Sequence, residues 1–256
     1  MRALAEAPVT LFCLPYAGGN AAIYRDWRDA LPSWIDCVPL DLPGHGRLRA
    51  MAPCSDWPAL ATALLDAIGP LPARDFAIFG HSMGALVALE LAHALRERDG
   101  REPVWLGVAA CAAPLERDYE TKWLECGAEQ MVEELRRLGG TPEELLGDAE
   151  FLELALPVLR ADFHLCATYV RRWRTRSGPL ACPVCAFGGR EDSLSELHEN
   201  LSSWRHETTG AFREQMLDGG HFFVETARAP LIREIAGALR DVVAFAQQPA
   251  ALAAAG

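Results

Sequence analysis

The five residues Gly80-His81-Ser82-Met83-Gly84 place a serine between two glycines two positions away on either side. A serine hydroxyl is a weak nucleophile, and it attacks a carbonyl only when a base takes its proton and an acid orients that base. The residues before the motif, 75–80, read as a buried strand, and 83–97 read as an Ala- and Leu-rich helix. A serine at such a strand-to-helix turn stands exposed at the edge of a sheet, with the unpaired N–H groups of a helix N-terminus behind it. The plain alternative is a turn that uses glycine only for sharpness.

In this arrangement the partners follow in the order Ser, then Asp or Glu, then His. His221 fits the base: it follows a strand candidate and the Gly219-Gly220 turn, and it precedes the last helix. His45 and His81 lie before or beside the serine, His93 and His164 sit at helical positions, and His198 and His206 fall in a charged stretch. The acid belongs just past the preceding strand, at Gly188-Gly189-Arg190-Glu191-Asp192, with Asp192 the first choice and Glu191 the alternative. The oxyanion of an acyl-transfer intermediate needs two N–H donors. Met83 supplies one, and the loop Tyr16-Ala17-Gly18-Gly19 supplies the other, with Ala17 the favoured donor.

The elements that must hold these residues alternate. Strands are expected at 9–15, 35–42, 75–80, 103–111, 182–188 and near 212–217. Helices are expected at 21–31, 57–68 with Asp56 as N-cap, 83–97 and roughly 228–245. Near-continuous apolar strands separated by helices imply an α/β fold with a mostly parallel sheet covered on both faces. Between 114 and 179 the rhythm breaks, so this stretch reads as a helical insertion within one domain spanning 1–256. Thr141-Pro142-Glu143-Glu144 has the pattern of a capping box with Thr141 at the cap. Leu145, Leu146, Phe151, Leu152, Leu154, Leu156, Val158 and Leu159 either line an acyl chamber or anchor the insertion. Residues 247–256 read as a frayed, disordered tail.

Composition narrows the chemistry. The 256 residues are 50% hydrophobic and 23% charged, enough apolar material for a sizeable core. The formal net charge of −11 argues against nucleic-acid partners. Lys122 is the only lysine, so a P-loop is absent and a Schiff base would rest on that residue alone. No run of about 18 apolar residues predicts a membrane span. The N-terminus lacks the apolar region of a signal peptide, which points to the cytoplasm. Eight cysteines then read as reduced thiols. Cys182-Pro-Val-Cys185 resembles half a zinc site, but no second Cys-x-x-Cys follows and buried thiols are the simpler reading, so no metal is expected.

The chain resembles the freestanding type II thioesterases of polyketide and nonribosomal peptide synthesis, related to medium-chain thioesterases that act with fatty acid synthase. The resemblance rests on five segments. These are Pro15-Tyr16-Ala17-Gly18-Gly19, Leu42-Pro43-Gly44-His45-Gly46-Arg47, the Gly80-to-Gly84 turn, Leu159-Arg160-Ala161-Asp162-Phe163 and Gly219-Gly220-His221-Phe222-Phe223. It implies an α/β-hydrolase fold with a helical lid at 114–179 and a triad of Ser82, Asp192 and His221. It also implies acyl or peptidyl carrier proteins as transient partners. No cofactor is implied, because the phosphopantetheine arm belongs to the substrate, and a monomer is expected. Arg171-Arg172-Trp173-Arg174-Thr175-Arg176 is the densest basic cluster for docking an acidic carrier, with Arg47 and Arg49 as a second candidate. The alternative functions are a carboxylesterase or lipase, a medium-chain fatty acyl thioesterase, a transferase or macrocyclising hydrolase, and a binding protein without catalysis.

Overall fold

The computed structural model describes residues 9–169, 178–192 and 200–253, with side chains through Val243. Six strands form one sheet in the order β2-β1-β3-β4-β5-β6. They are β1 Val9–Leu14, β2 Ile35–Pro39, β3 Asp75–His81, β4 Leu106–Ala109, β5 Val184–Gly189 and β6 Phe212–Leu217, and every neighbouring pair is parallel. The longer helices are α1 Trp57–Ile68, α2 Met83–Asp99, α3 Ala128–Leu138, α4 Ala149–Thr168 and α5 Arg228–Ala253.

Side-chain alternation along the strands divides the core. Phe12, Leu14, Phe76 and Ile78 pack with Trp57, Leu60 and Leu64 of α1 and the apolar positions of α2. Leu11, Cys13, Ala77 and Phe79 pack on the other face with Trp27 and with Leu231, Ile235 and Leu239 of α5. Successive strand residues point to opposite faces, so each strand feeds both layers. The central strands β1 and β5 are buried throughout, whereas the edge strands β2 and β6 keep partly exposed positions. Cys182 and Cys185 fall on opposite faces, in separate clusters, as spacing in a strand requires.

The expected helix at 57–68 forms with those bounds, and the Asp56 carboxylate accepts from Ala59 N at 2.9 Å. The expected helix at 21–31 does not form as one piece. Ala21–Tyr24 is a 3-10 turn and Trp27–Ala30 a single α turn. Both aromatic rings are drawn into the core, and Tyr24 Oη donates to Leu14 O at 2.7 Å, so tertiary packing overrides helical spacing. The terminal helix runs through Ala253, past the 247 boundary of the expected tail, and its alanines favour helix intrinsically.

Between β4 and β5 the chain builds α3, the single turn Glu143–Leu146 and α4. Trp123, Met131, Leu135, Leu146, Leu159 and Phe163 form a small core of their own. The end of α4 is tied to the body: Trp57 Nε1 donates to Leu165 O at 3.1 Å, and the Tyr169 ring packs tilted against Trp57 with centroids 4.3 Å apart. The expected capping box fails. Pro142 occupies the N-cap position, no side chain caps that turn, and the helix stops after four residues at Gly147. Asp148 is the working cap instead, accepting from Glu150 N and Phe151 N to start α4.

Candidate active site

Ser82 sits where β3 turns into α2, with φ 55° and ψ −119°. A β-carbon on Gly80 would lie 1.8 Å from Gly84 O, and one on Gly84 would lie 2.3 Å from Leu14 O. The two glycines of the motif are therefore demanded by backbone contact across the turn, and Ser82 carries the uncommon positive φ that the turn forces. Ser82 N donates to Ala109 O at 2.7 Å, pinning the strained residue to the next strand.

The turns after β5 and β6 meet Ser82 from one side. A β-carbon on Gly189 would lie 2.5 Å from Gly219 O, so close approach of these turns requires glycine there. Glu191 N donates to Gly219 O at 3.0 Å. The contact brings Asp192 Oδ2 to 2.9 Å from His221 Nδ1, while His221 Nε2 lies 3.0 Å from Ser82 Oγ. Asp192 and His221 are both buried, whereas Glu191 is exposed. Nδ1 faces a carboxylate and so carries the ring proton, which leaves the Nε2 lone pair for the serine hydroxyl. Of the two carboxylates read from the sequence, Asp192 is the one in contact with the base.

The loop after β1 closes the other side. Tyr16 Oη donates to Glu225 Oε1 at 2.6 Å, and its ring meets Phe222 edge-on at 5.0 Å. Burial, reinforced by Glu225, raises the Tyr16 pKa, so the phenol stays a donor. Gly18 N donates to Asp162 Oδ2 at 2.7 Å and Gly19 N to Tyr16 O at 2.9 Å. Neither Ala17 N nor Met83 N has an acceptor among the described residues.

The serine opens into a cavity of about 650 Å³. Gly18, Gly44 and Phe222 belong to the body side of its wall, and Leu135, Phe151, Leu154, Ala155 and Leu159 to the insertion side. The apolar run of the insertion thus does both jobs assigned to it. Leu146 is buried in the insertion's core, Phe151 and Val158 line the cavity, and Leu159 does both. Arg49 lies exposed on the cavity rim, and Arg47 pairs with the buried Asp41 at 3.1 Å. The Arg171–Arg176 cluster and His198 lie outside the described residues.

A family model described as a thioesterase domain matches residues 9–239. The chain belongs to the thioesterase family. It is 36% identical over 242 residues to the gramicidin S biosynthesis protein GrsT of Aneurinibacillus migulanus, covering 93% of this chain and 91% of that one. Its fold is similar to that of RedJ, a thioesterase from the prodiginine pathway of Streptomyces coelicolor. That match has a TM-score of 0.81 and 35% identity, over 91% of this chain and 87% of RedJ. It is also similar to the type II thioesterase BorB of the borrelidin biosynthetic cluster, with a TM-score of 0.77 and 33% identity over 90% and 91% of the two chains.

Three features of this thioesterase site were not assigned from sequence. His81 is fully buried and its Nε2 donates to His221 O at 2.8 Å. His45 Nε2 lies 2.8 Å from Asp162 Oδ2 in a buried pair, and Tyr16 reaches Glu225. The histidines and Asp162 carried a signal, since all three lie in the motifs that mark the resemblance. Which partner each of these side chains took is set by pairs up to 209 residues apart. His93, at a helical position, is buried, with Nδ1 2.9 Å from an Arg96 guanidinium nitrogen. The buried Nδ1 of His164 has no hydrogen-bond partner among the described residues, and burial lowers its pKa.

Proposed function

We propose that this thioesterase hydrolyses acyl groups from the phosphopantetheine thiol of carrier proteins in polyketide or nonribosomal peptide synthesis, clearing stalled or aberrant acyl units. The observation that carries the reading is the Ser82–His221–Asp192 relay at the mouth of a largely apolar cavity closed by the insertion. The similarity to GrsT, RedJ and BorB supports the biosynthetic setting.

Ser82 Oγ attacks the thioester carbonyl carbon while His221 Nε2 takes its proton. The carbonyl oxygen becomes an oxyanion, held by the Met83 and Ala17 N–H groups. Collapse breaks the C–S bond, and the proton on His221 passes to the departing sulfur. A water then gives its proton to His221 and attacks the acyl-serine, releasing the carboxylic acid and restoring Ser82. Asp192 holds His221 in the tautomer that both steps need. The insertion acts as a lid over the acyl chain, and Arg49 on the rim is the described cation placed to meet an acidic carrier.

The test compares acetyl-, propionyl- and longer acyl-carrier proteins with simple oxygen esters, using Ser82→Ala as control. Preference for carrier-bound thioesters that vanishes in Ser82→Ala supports the reading. Fast turnover of oxygen esters with carrier substrates ignored would leave the relay standing and assign the protein to the esterases.

A further inference from the structure

The oxyanion loop is gripped by the insertion and not only by the sheet. The Asp162 carboxylate on α4 is buried, and its Oδ2 accepts from Gly18 N at 2.7 Å. Three residues earlier, Leu159 Cδ2 lies where a Gly18 β-carbon would need to be, 2.9 Å from it. Gly18 has φ +74°, a conformation that a side chain would strain, and a β-carbon there would press on Leu159. Helix α4 therefore touches the loop through a hydrogen bond and a packed leucine, one turn apart.

The same Asp162 oxygen meets His45 Nε2 at 2.8 Å, and His45 Nδ1 lies 3.0 Å from Pro43 O. Both ring nitrogens face acceptors. This is the arrangement of a doubly protonated ring beside a buried carboxylate, and although burial pulls the His45 pKa down, Asp162 and the loop carbonyls raise it overall. The pair joins three segments distant in sequence: the loop after β2, the loop after β1 and α4.

The Gly18 N–H belongs to the peptide plane that follows Ala17. That bond anchors the plane after Ala17, and the Gly19 N to Tyr16 O bond at 2.9 Å anchors the plane that carries the Ala17 N–H, so the two together set its direction. We propose that Asp162, oriented by His45, is a positioning residue that aims the Ala17 N–H at the oxyanion, so that α4 completes the active site from the insertion. The inference rests on the reading of Ala17 as an oxyanion donor. It makes the insertion part of the catalytic apparatus: displacing α4 releases Gly18 N and leaves the oxyanion with Met83 alone.

The test measures kcat and KM on an acyl-cysteamine thioester and the inhibition constant of an alkyl trifluoromethyl ketone. Such a ketone forms a tetrahedral adduct with the serine. A fluorophosphonate titration counts competent sites. Asp162→Ala is expected to lower kcat per competent site about 100-fold with KM little changed, the scale for a misplaced catalytic group. Ketone affinity is expected to weaken by a similar factor. Asp162→Asn keeps an oxygen for Gly18 N and is expected to recover most of that loss. His45→Gln, which still donates to Asp162, is expected to lie between, and it carries the test if Asp162→Ala does not fold. Unchanged kcat in these variants, or a fall in competent sites with ketone affinity intact, would overturn the inference while leaving the relay untouched. A wild-type protein that neither cleaves the thioester nor binds the ketone would overturn the Ser82 reading, and the inference with it.

Discussion

His81 Nε2 lies 2.8 Å from the carbonyl oxygen of His221, so the residue before Ser82 holds the backbone of the histidine that meets it. Burial, together with the neighbouring His221, pulls the His81 pKa down to about 3. The ring is therefore neutral at working pH, with its proton on the nitrogen that faces the carbonyl. His81→Phe keeps a ring of similar shape and removes the donor. An unsatisfied buried carbonyl costs about 1–3 kcal/mol, and the His221 turn is expected to relax. The expected outcome is a kcat/KM about tenfold lower, with the same pH-rate midpoints as wild type, because His81 does not titrate in that range. A shifted midpoint would mean that His81 exchanges protons with His221.

The buried histidines His81 and His45 impose opposite pH dependences on stability. His81 has a lowered pKa, so the unfolded chain binds the extra proton, and stability falls as pH drops from about 6.5 toward 3. Burial also pulls His45 down, but Asp162 and the Pro43 and Leu42 carbonyls outweigh it and its pKa is raised. The His45 contribution is complete below about 6.5 and is lost as pH rises through the folded value. Asp162 is the charged group facing His45. Burial, with the Asp162 charge acting in the same direction, pushes up the thiols of Cys54 and Cys166, the latter to about 12, so they stay neutral. Denaturant melts of His45→Gln and wild type from pH 6 to 9 check this. The wild-type advantage is expected to shrink as pH rises, and a constant gap would mean that His45 is neutral.

Asp192 and Glu191 are adjacent acids with different surroundings. Asp192 is buried 2.9 Å from His221 Nδ1, while Glu191 is exposed and contributes its backbone N–H to the Gly219 carbonyl. Asp192→Asn presents an amide to Nδ1 and favours the wrong tautomer, for which a loss of about 10⁴ in kcat is the precedent. Glu191→Gln is expected to stay within about twofold of wild type, the scale of an exposed substitution. Steady-state kinetics on one thioester decide between them.

The sheet and the relay were legible because their signals are local. Apolar runs mark the strands, Gly80 and Gly84 mark the turn, and Gly219-Gly220 marks the approach to His221. Two of the failures were also local. Tyr24 and Trp27 break the expected helix at 21–31 by turning into the core, and Pro142, not Thr141, occupies the cap position. The Asp162–His45 and Tyr16–Glu225 pairs span 117 and 209 residues, and no periodicity reports a contact at that range. Asp162 was marked only by its place in the Leu159–Phe163 segment that carries the resemblance. Its partners became visible once α4 was laid beside the loops after β1 and β2.

Ala155 gives the sharpest handle on acyl length. It sits on α4 in the cavity wall, between Leu154, which is 78% exposed at the mouth, and the buried Leu159 beside Gly18. A larger side chain there fills space that a long acyl chain would occupy, while the carbonyl end at Ser82 stays clear. Pocket walls discriminate by about 1–3 kcal/mol per methylene. Ala155→Phe is therefore expected to lower kcat/KM for octanoyl thioesters at least about tenfold while acetyl and propionyl turnover changes little. Parallel kinetics across the chain-length series read this directly. An equal loss at every length would mean that the ring disturbs the α4 grip on Gly18, and an unchanged octanoyl rate would place the acyl chain along the Phe222 side of the cavity.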